Sequence, residues 1–443
     1  MPDLNLLTDL IAKAKAAGAD AADAVAFRSA SLSVTWRLGK TEGVERAEAE
    51  DLGLRVFVGQ RQAMVSSTDN GAEALDELVE RALAMARAVP EDPYCGLADE
   101  ALLARAVPDL DLYDAREPAS ESLLAVAEEA EDAARAVPGI TNSEGAEASW
   151  GRGDVALAAS NGFTGAYRTS SFSIVASVIA GKDTGMERDY DYATARHRDD
   201  LDAPADIGRR AGERAVERLG ARKVESGRMP VVFDPRVSGG FARLLAGSIS
   251  GASIARGTSF LKDKMDARLF APGIEVIDDP LRPRGLVSRP FDGEGVATQS
   301  RKLIDDGRLT TWLMDSRSAR QLGLRSTGHA SRGTASPPAP APSNLYMAPG
   351  AETPEALIGA IDKGLYVTEM MGMSFSAVTG DYSRGASGFW IEDGALAYPV
   401  SEVTVAGNLL DLFPRMTPAD DLEFRFGVNA PTLRVDGMTV AGL

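Results

Sequence analysis

The 443-residue sequence contains few of the residues that build catalytic and metal centres. It has two histidines, His197 and His329, and a single cysteine, Cys95. One cysteine excludes an intramolecular disulfide and a thiolate metal cluster. Two histidines cannot form a His-rich zinc site by themselves, and a Ser-His-Asp triad would have to use one of them. The sequence also lacks a G-x-S-x-G nucleophile motif and the glycine motifs that bind phosphates or dinucleotides.

Positive charge is scarce as well. There are 47 Lys and Arg residues against 65 Asp and Glu residues, which gives a formal net charge of −18. Such a surface repels nucleic acid and anionic membranes. No apolar run is long enough to span a bilayer, and the first residues, MPDLNLLTDLIAKAKAAGAD, indicate an amphipathic helix rather than a signal peptide. We therefore expect a cytoplasmic protein that binds neither nucleic acid nor membrane.

Residues 1–224 are predicted to form an α+β domain in which a helix, several strands and a closing helix occur twice. Alternating apolar residues indicate strands, and longer periodic segments indicate helices. The helices are predicted over 4–17, 72–89, 120–136 and 206–219, and the strands over 22–38, 41–50, 52–67, 140–152, 154–160, 163–180 and 185–194. The order suggests an internal duplication of one unit. Because any α+β domain can be divided in this way, an undivided domain remains the alternative.

Residues 225–443 have a different composition, with many glycines and short apolar runs. Asp306-Gly307, Asp393-Gly394 and Asp436-Gly437 each lie between alternating apolar residues, which is the pattern of a β-hairpin turn. A mainly antiparallel β domain is therefore expected over this range. The fold class of the whole chain is α+β.

One helix of this second domain has an unusual surface. The apolar run 231–233 predicts a buried strand, after which Asp234 is suited to cap a helix and Pro235 to occupy its first position. The apolar side chains of the helix fall on one face. Its other residues are small, which lets another backbone come close: Gly239, Gly240, Ala242, Ala246, Gly247 and Ser248.

Three long segments resemble one known family. They are FDGEGVATQSRKLIDDGRLTTWLMDS (291–316), SARQLGLRSTGHASRG (318–333) and TGDYSRGASGFWIEDGALAYPVSEVTVAGNL (379–409). By these segments the chain is identified as a member of the PmbA/TldE family, the proteins called modulators of DNA gyrase. The resemblance covers most of residues 225–408 and is weaker over the N-terminal half.

The resemblance implies a fold that agrees with these two domains, a partner and an activity. TldE-like chains pair with TldD-like chains, and the pair resembles a cytoplasmic metalloprotease that cleaves unfolded peptides. In TldD-like chains the helix corresponding to residues 234–251 carries an H-E-x-x-x-H motif, whose positions fall here on Ala242, Arg243 and Gly247. None of these residues can bind zinc, so the resemblance implies a non-catalytic subunit without a cofactor. Zinc is expected only in the TldD-like partner, and a homodimer is expected when the chain is alone.

Two glycine-rich stretches are candidates for peptide contacts. His329 lies in the first, and Asp381, Tyr382, Ser383 and Arg384 lie in the second. An extended peptide would bind there by adding to an exposed sheet edge. The alternative for the second stretch is a tight turn in which Asp381 caps backbone N–H groups and pairs with Arg384, and for His329 a local hydrogen bond in a loop. A different function also remains open: a self-standing homodimeric peptide-binding protein, or a hydrolase with an unrecognised site.

Overall fold

The computed structural model describes residues 3–442, without the side chain of Met373. Its N-terminal part is one antiparallel sheet with helices: α1 (Leu4–Ala16), β1 (Ala21–Arg37), β2 (Lys40–Val58), β3 (Arg61–Ser67), α2 (Ala72–Ala88), α3 (Ser120–Arg135), β4 (Ile140–Ala159), β5 (Thr164–Ala180), β6 (Glu187–Ala195) and α4 (Pro204–Glu217). The strand order is β3-β2-β1-β4-β5-β6. Two halves, each with the order helix, three strands, helix, therefore meet where β1 pairs with β4. This is the order from which the duplication was predicted.

The four helices α1–α4 pack on one face of this sheet. Ala24 and Ala26 of β1 lie in a core with α1 and α2, and Leu32 and Val34 of the same strand lie in a core with α3 and α4. Since successive side chains of a strand point to opposite faces, the odd-numbered residues near Val25 face away from the helices. That second face is the one that meets the C-terminal part of the chain.

Two of the predicted strand breaks are wrong. β2 continues through Glu50, which pairs with Arg28 in an unbroken register, and the chain turns at Gly59 instead. β4 likewise continues through Gly153. Residues 40–49 are exposed on both faces, beyond the part of β2 that pairs with β3. The polar composition of residues 40–49 therefore reflects their exposure to solvent and not a break in the strand.

The C-terminal part consists of short strands and helices around a larger sheet. They are β7 (Gly227–Phe233), α5 (Pro235–Ser248), α6 (Gly251–Ala255), β8 (Val276–Asp278), β9 (Arg301–Asp305), β10 (Arg308–Leu309), α7 (Ser316–Gln321), β11 (Ala330–Ser331), β12 (Ala339–Pro340), β13 (Leu345–Met347), α8 (Pro354–Gly359), β14 (Lys363–Phe375), β15 (Asp381–Glu392), β16 (Ala395–Asn408), α9 (Leu409–Leu412), β17 (Met416–Pro418), β18 (Val428–Asn429) and β19 (Leu433–Ala441). No described helix is long and apolar enough to cross a membrane.

The larger sheet closes on itself. Its strand order is β16-β15-β14-β7-β19, and β19 pairs back to β16, while β17 pairs with the beginning of β19. The pairs are antiparallel except for β7 with β14, which is parallel. We call this ring the C-terminal barrel. Its strands contribute these residues to the largest hydrophobic core: Val231, Phe233, Leu365, Val367, Val403, Val405, Val435, Met438 and Val440.

One of the three predicted hairpins is a β-bulge. Asp306-Gly307 and Asp393-Gly394 both turn the chain, and in each dipeptide both residues have positive φ, as a tight hairpin turn requires. In Asp436-Gly437 only the glycine has positive φ, at 75°, and the dipeptide lies inside β19. The register shifts between Val435 and Met438 and the strand continues.

Candidate functional site

Helix α5 is positioned by its first residues and by its apolar face. The Asp234 side chain accepts a hydrogen bond from the backbone N–H of Arg236 (2.9 Å), and proline follows Asp234 at the first helical position. On the inner face, the Phe241 ring centroid lies 4.9 Å from that of Phe233 and 5.5 Å from that of Tyr382. The helix is thereby fixed against the core of the C-terminal barrel.

The outer face of α5 carries four residues that we call the outer stripe: Arg236, Gly240, Arg243 and Gly247. At about 100° per residue they fall within roughly 60° of one another around the helix. Arg243 and Gly247 are exposed, and a Cβ at Gly240 or Gly247 would meet nothing within 4 Å. The outer stripe therefore leaves room for another chain.

The positions aligned with the metal-binding motif do not fit a metal ion. Ala242 is 1% exposed and its methyl group belongs to the core, Arg243 carries a charge that repels a cation, and Gly247 has no side chain. Among residues 3–442 no group of three or more His, Cys, Asp and Glu residues is arranged to hold a metal. A zinc-activated water needs about three protein ligands, and the three aligned positions of α5 offer no side chain that could be one.

The second predicted stretch lies at the start of β15 and is held by side-chain hydrogen bonds. Asp381 accepts from the Thr379 hydroxyl (2.7 Å) and from the Asn408 amide (3.0 Å). Arg384 does not pair with Asp381; its Nε donates to the Gly372 carbonyl (2.9 Å). The predicted alternative, a turn closed by an Asp381–Arg384 pair, is therefore wrong in that contact.

Side chains, not backbone, are what this stretch can offer to a ligand. Residues 381–384 pair with β16 on one side, and Tyr382 and Ser383 pair with β14 on the other. No sheet edge is free at these two residues for a peptide to extend. Tyr382 is buried against α5, and burial raises the pKa of its hydroxyl. Asp381 is the exposed member, and Ser383 and Arg384 are half-buried.

His329 lies elsewhere, in a buried polar network. Its Nε2 is 3.1 Å from Asp278 Oδ2 and its Nδ1 is 2.8 Å from Thr327 Oγ1. Asp278 also accepts from the backbone N–H and the hydroxyl of Ser343 (2.6 and 2.7 Å). Burial would raise the pKa of Asp278, but the hydrogen bonds from His329 and Ser343 outweigh it and the pKa is lowered. The Thr327 hydroxyl oxygen accepts from the Met314 N–H (2.7 Å) and is buried, so it is not placed to attack a substrate.

A cluster of buried carboxyl groups was not found from the sequence. Asp292 accepts from the backbone N–H groups of Glu294 (2.8 Å), Val296 (2.9 Å) and Ala330 (3.1 Å). Burial and the neighbouring Glu294 raise the pKa of Asp292 to about 7. Burial also raises the pKa of Glu294, although Arg55 acts against it. In the sequence these residues form D-G-E-G, which is typical of a polar surface turn and gives no sign of burial.

A pair of adjoining cavities, about 500 and 350 Å³ in volume, is the other feature without a sequence signal. They lie between α4, the edge strand β6 and the beginning of α5, and we call them together the edge groove. Both are lined by Arg214, Asp234, Arg236 and Tyr366. The groove depends on contacts between residues far apart in sequence, so no local pattern predicts it.

The edge groove and the outer stripe share one residue, Arg236. Arg236 lines the groove and is the first residue of the stripe, and Arg243 lies seven residues further, which is about 10 Å along the helix axis. Burial would lower the pKa of Arg236, but its ion pair with Asp189 outweighs this and raises it, so the side chain stays charged. The groove and the open face of α5 therefore adjoin at the beginning of the helix.

Comparison with known proteins gives a consistent result along almost the whole chain. Three family models match in succession: PmbA/TldA metallopeptidase domain 1 over residues 22–86, the central domain over 113–219 and the C-terminal domain over 226–442. Metalloprotease PmbA of Escherichia coli O157:H7 is 38% identical over 425 residues, which is 96% of this chain and 92% of the relative. A metalloprotease PmbA homolog of Haemophilus influenzae is 37% identical over 431 residues, with 96% and 93% covered.

Solved structures show the same fold. A crystal structure described as a putative modulator of DNA gyrase, from Bacteroides thetaiotaomicron, superimposes with a TM-score of 0.91 at 27% identity and covers 99% of this chain and 98% of that chain. TldE from Thermococcus kodakarensis superimposes with a TM-score of 0.84 and covers 99% and 100%. At 20% identity the second likeness is one of fold alone.

Proposed function

The chain belongs to the PmbA/TldA metallopeptidase family, and from this premise we propose that it is the TldE-like subunit of a cytoplasmic metalloprotease that acts on unfolded peptides. The subunit is itself non-catalytic. It works with a TldD-like chain, which carries the zinc ion and the general base.

The observation that carries the proposal is the chemistry of α5. The aligned positions hold a buried methyl group at Ala242, a cation at Arg243 and no side chain at Gly247. No nearby carboxylate or imidazole replaces them, since no group of three potential ligands occurs among the described residues. The helix that would bind metal in the catalytic chain is thus retained here as a surface.

We assign that surface to peptide and partner binding. The edge groove has space for an extended segment, and the outer stripe continues it without side chains at Gly240 and Gly247. Asp381, Ser383 and Arg384 supply exposed or half-buried polar groups on the same barrel. The open glycine positions also suit close contact with a TldD-like chain, or with a second copy of this chain when the partner is missing.

The test compares three preparations: the chain alone, a TldD-like partner alone, and the two together. Metal content is measured by mass spectrometry, and cleavage is followed with an unfolded casein-type peptide. The chain alone should contain no stoichiometric zinc and cleave nothing, while the mixture should cleave faster than the partner alone. One tightly bound zinc per isolated chain, lost on the substitution His329→Ala, would contradict the proposal. So would a mixture no more active than the partner.

A further inference from the structure

A separate cavity of about 220 Å³ lies between the N-terminal sheet and segments 289–293 and 330–332. We call it the sheet cavity. It lies against the face of the sheet opposite the helices, where Val25 and Phe27 point. At about 30 Å³ for each water molecule, the space would hold roughly seven waters. A small molecule or a single residue at the end of a peptide fits this volume.

One side of the sheet cavity is apolar. Val25 and Leu157 are buried at its floor, and Phe27 and Val155 are half-buried beside them. Phe291 closes this side, packed edge-on against the Tyr167 ring at 5.3 Å. Such a wall accepts an aliphatic or aromatic group and gains from removing it from water.

The other side carries two guanidinium groups. Arg289 donates to the backbone carbonyls of Ala341 (2.8 Å) and Ala330 (3.4 Å) and forms no ion pair with any described carboxylate. Its Nε–H has no partner among the described atoms. A half-buried cation without a counterion is costly, so a ligand that brings a negative charge is favoured there.

Arg332, the second guanidinium, is only partly neutralised. Its side chain is 1% exposed and donates to Asp23 (2.7 Å), but Asp23 also accepts from Arg55 (2.9 Å). Arg332 thus shares the Asp23 carboxylate with Arg55, which also lies 4.0 Å from Glu294, and the Nε–H of Arg332 has no partner among the described atoms. This side of the cavity therefore retains hydrogen-bond donors for a ligand.

Below about pH 7 the carboxyl group that lines the cavity, Asp292, does not cancel this positive charge. Asp292 lines the cavity, but burial and Glu294 raise its pKa to about 7, so it is largely neutral below that pH. Glu294, whose pKa is also raised by burial, lies 4.0 Å from Arg55 and farther from the cavity. The sheet cavity therefore has a positive side and an apolar side within one small volume.

We propose that the sheet cavity binds a small apolar carboxylate, with the carboxylate group against Arg289 and Arg332 and the apolar group against Val25, Leu157 and Phe291. Free carboxylic acids and the C-terminal residue of a peptide share this chemistry. Arginine suits it because its planar donors match a carboxylate. Binding here needs neither a metal ion nor the catalytic partner, so it can be tested separately from the proposed function.

The experiment is calorimetry on the isolated full chain with three matched probes, at a pH below 7 where Asp292 is largely neutral. N-acetyl-leucine has both groups, N-acetyl-leucinamide lacks the charge, and acetate lacks the apolar group. N-acetyl-leucine should bind at least about tenfold more tightly than either other probe, since a charged hydrogen bond is worth about 1.5–3 kcal/mol. Equal affinities for the acid and the amide, or no binding of the acid at millimolar concentration, would overturn the proposal.

Two pairs of variants locate the binding. Arg289→Gln should weaken N-acetyl-leucine about tenfold, while Arg301→Gln should leave it unchanged. Arg301 is the matched control because it too is half-buried, donates to a backbone carbonyl and lies outside the cavity. Ser331→Asp adds a negative charge at the exposed rim of the cavity and should weaken binding without affecting the fold. Ser331→Asn adds no charge and should leave binding unchanged. Unchanged binding in both Arg289→Gln and Ser331→Asp would place the ligand elsewhere and refute the assignment.

A last comparison separates the two sources of the carboxylate. The tripeptide Ala-Ala-Leu with a free C-terminus is titrated beside N-acetyl-leucine. Equal affinity of the two, with the same loss in Arg289→Gln, identifies a peptide end as a ligand. Binding of N-acetyl-leucine alone identifies a free acid. Either result supports the carboxylate site, and tripeptide binding that is insensitive to Arg289→Gln contradicts it for peptides.

Discussion

Arg236, at the beginning of α5, and Asp189, in the edge strand β6, form an ion pair with an Nη2–Oδ1 distance of 2.8 Å. Their side chains are 16% and 4% exposed. Arg236 also donates to the Tyr190 carbonyl (3.1 Å), and its guanidinium carbon lies 4.8 Å from the Tyr190 ring centroid. One side chain thus joins the N-terminal sheet to the helix of the outer stripe and occupies a carbonyl at the edge of β6.

Arg236→Ala should lower the free energy of unfolding by about 2–3 kcal/mol, because Asp189 would remain buried with a single, longer cationic contact, that of Arg218 at 3.3 Å, besides the Tyr190 N–H at 2.7 Å. Arg209→Ala is the matched control, since Arg209 also lies on a helix but pairs in solvent with Glu213. Its loss should cost no more than about 1 kcal/mol. Urea denaturation of both variants measures the two losses in the free energy of unfolding. Equal losses would show that the Arg236–Asp189 pair does not join the N-terminal sheet to α5.

Histidine at the two outer positions of the aligned motif, 242 and 247, should affect the stability of α5 in different ways. Ala242→His would place an imidazole in the packed core and should destabilise the protein by about 1–3 kcal/mol. Gly247→His places the same side chain in open space, so the thermal unfolding midpoint should stay the same or rise. If calorimetry finds Ala242→His as stable as wild type, the interior position of residue 242 is incorrect.

The buried pair Asp292 and Glu294 should make stability depend on pH. The folded-state pKa of Asp292, about 7, lies above its value in an unfolded chain, about 4. The stability from this group is therefore complete below about pH 4 and is lost as the pH rises through 7. Relative to Asp292→Asn, the wild type should lose at most about 1.4 kcal/mol for each pH unit in this range.

The measurement for Asp292 is chemical denaturation of wild type and Asp292→Asn between those two pH values. Arg55, Arg332 and Asp315 also act on the pair, so the difference between the two proteins is compared rather than either curve alone. Asp9→Asn serves as the control, because Asp9 lies exposed on α1. Parallel curves for wild type and Asp292→Asn would mean that Asp292 is ionised throughout.

Arg384→Ala should lower peptide cleavage by the assembled pair without lowering the stability of this chain. Its side chain is half-buried, donates to the Gly372 carbonyl and interacts with the Tyr382 hydroxyl. Arg308→Ala is the matched control, because Arg308 also donates to one carbonyl, that of Asp266, at an exposed position. The Michaelis constant for the peptide is the readout. Identical constants for both variants and wild type would remove Arg384 from the peptide site.

His329→Ala should act on stability instead. The substitution leaves Asp278 buried without its Nε2 contact, which costs about 1–3 kcal/mol. Thermal unfolding of the isolated variant measures its stability. Cleavage assays of the assembled pair, at a temperature where the variant stays folded, then separate a structural role of His329 from a contact with the peptide. A lowered cleavage rate with unchanged stability would show that His329 contacts the peptide despite its burial.

Local signals in the sequence were sufficient for elements whose ends are set by neighbouring residues. Asp234 and Pro235 specify where α5 begins, and the dipeptides at 306 and 393 specify two hairpin turns because both residues adopt positive φ. The fold class follows from such elements. The resemblance to a family added the alignment of Ala242, Arg243 and Gly247, which the pattern of apolar residues could not provide.

The features that local signals missed are those made by distant residues. Glu294 is buried 4.0 Å from Arg55 of β2, which stands more than two hundred positions earlier in the chain. The edge groove likewise needs β6, α5 and β14 to meet. A glycine within a strand, such as Gly153, reads as a break until its pairing with both neighbouring strands is known.

The closure of the C-terminal barrel has a consequence for how this chain folds. β7 pairs with β19, so that Phe233 lies opposite Leu433, and the ring is completed only when residues 439–441 reach β16. Contacts across so long a stretch form slowly, because a large loop must close first. During synthesis the sheet of residues 21–195 can be complete while β7 still lacks its neighbour. Until residue 441 has been added, α5, with the surface proposed for peptide and partner, rests on a ring that is still open.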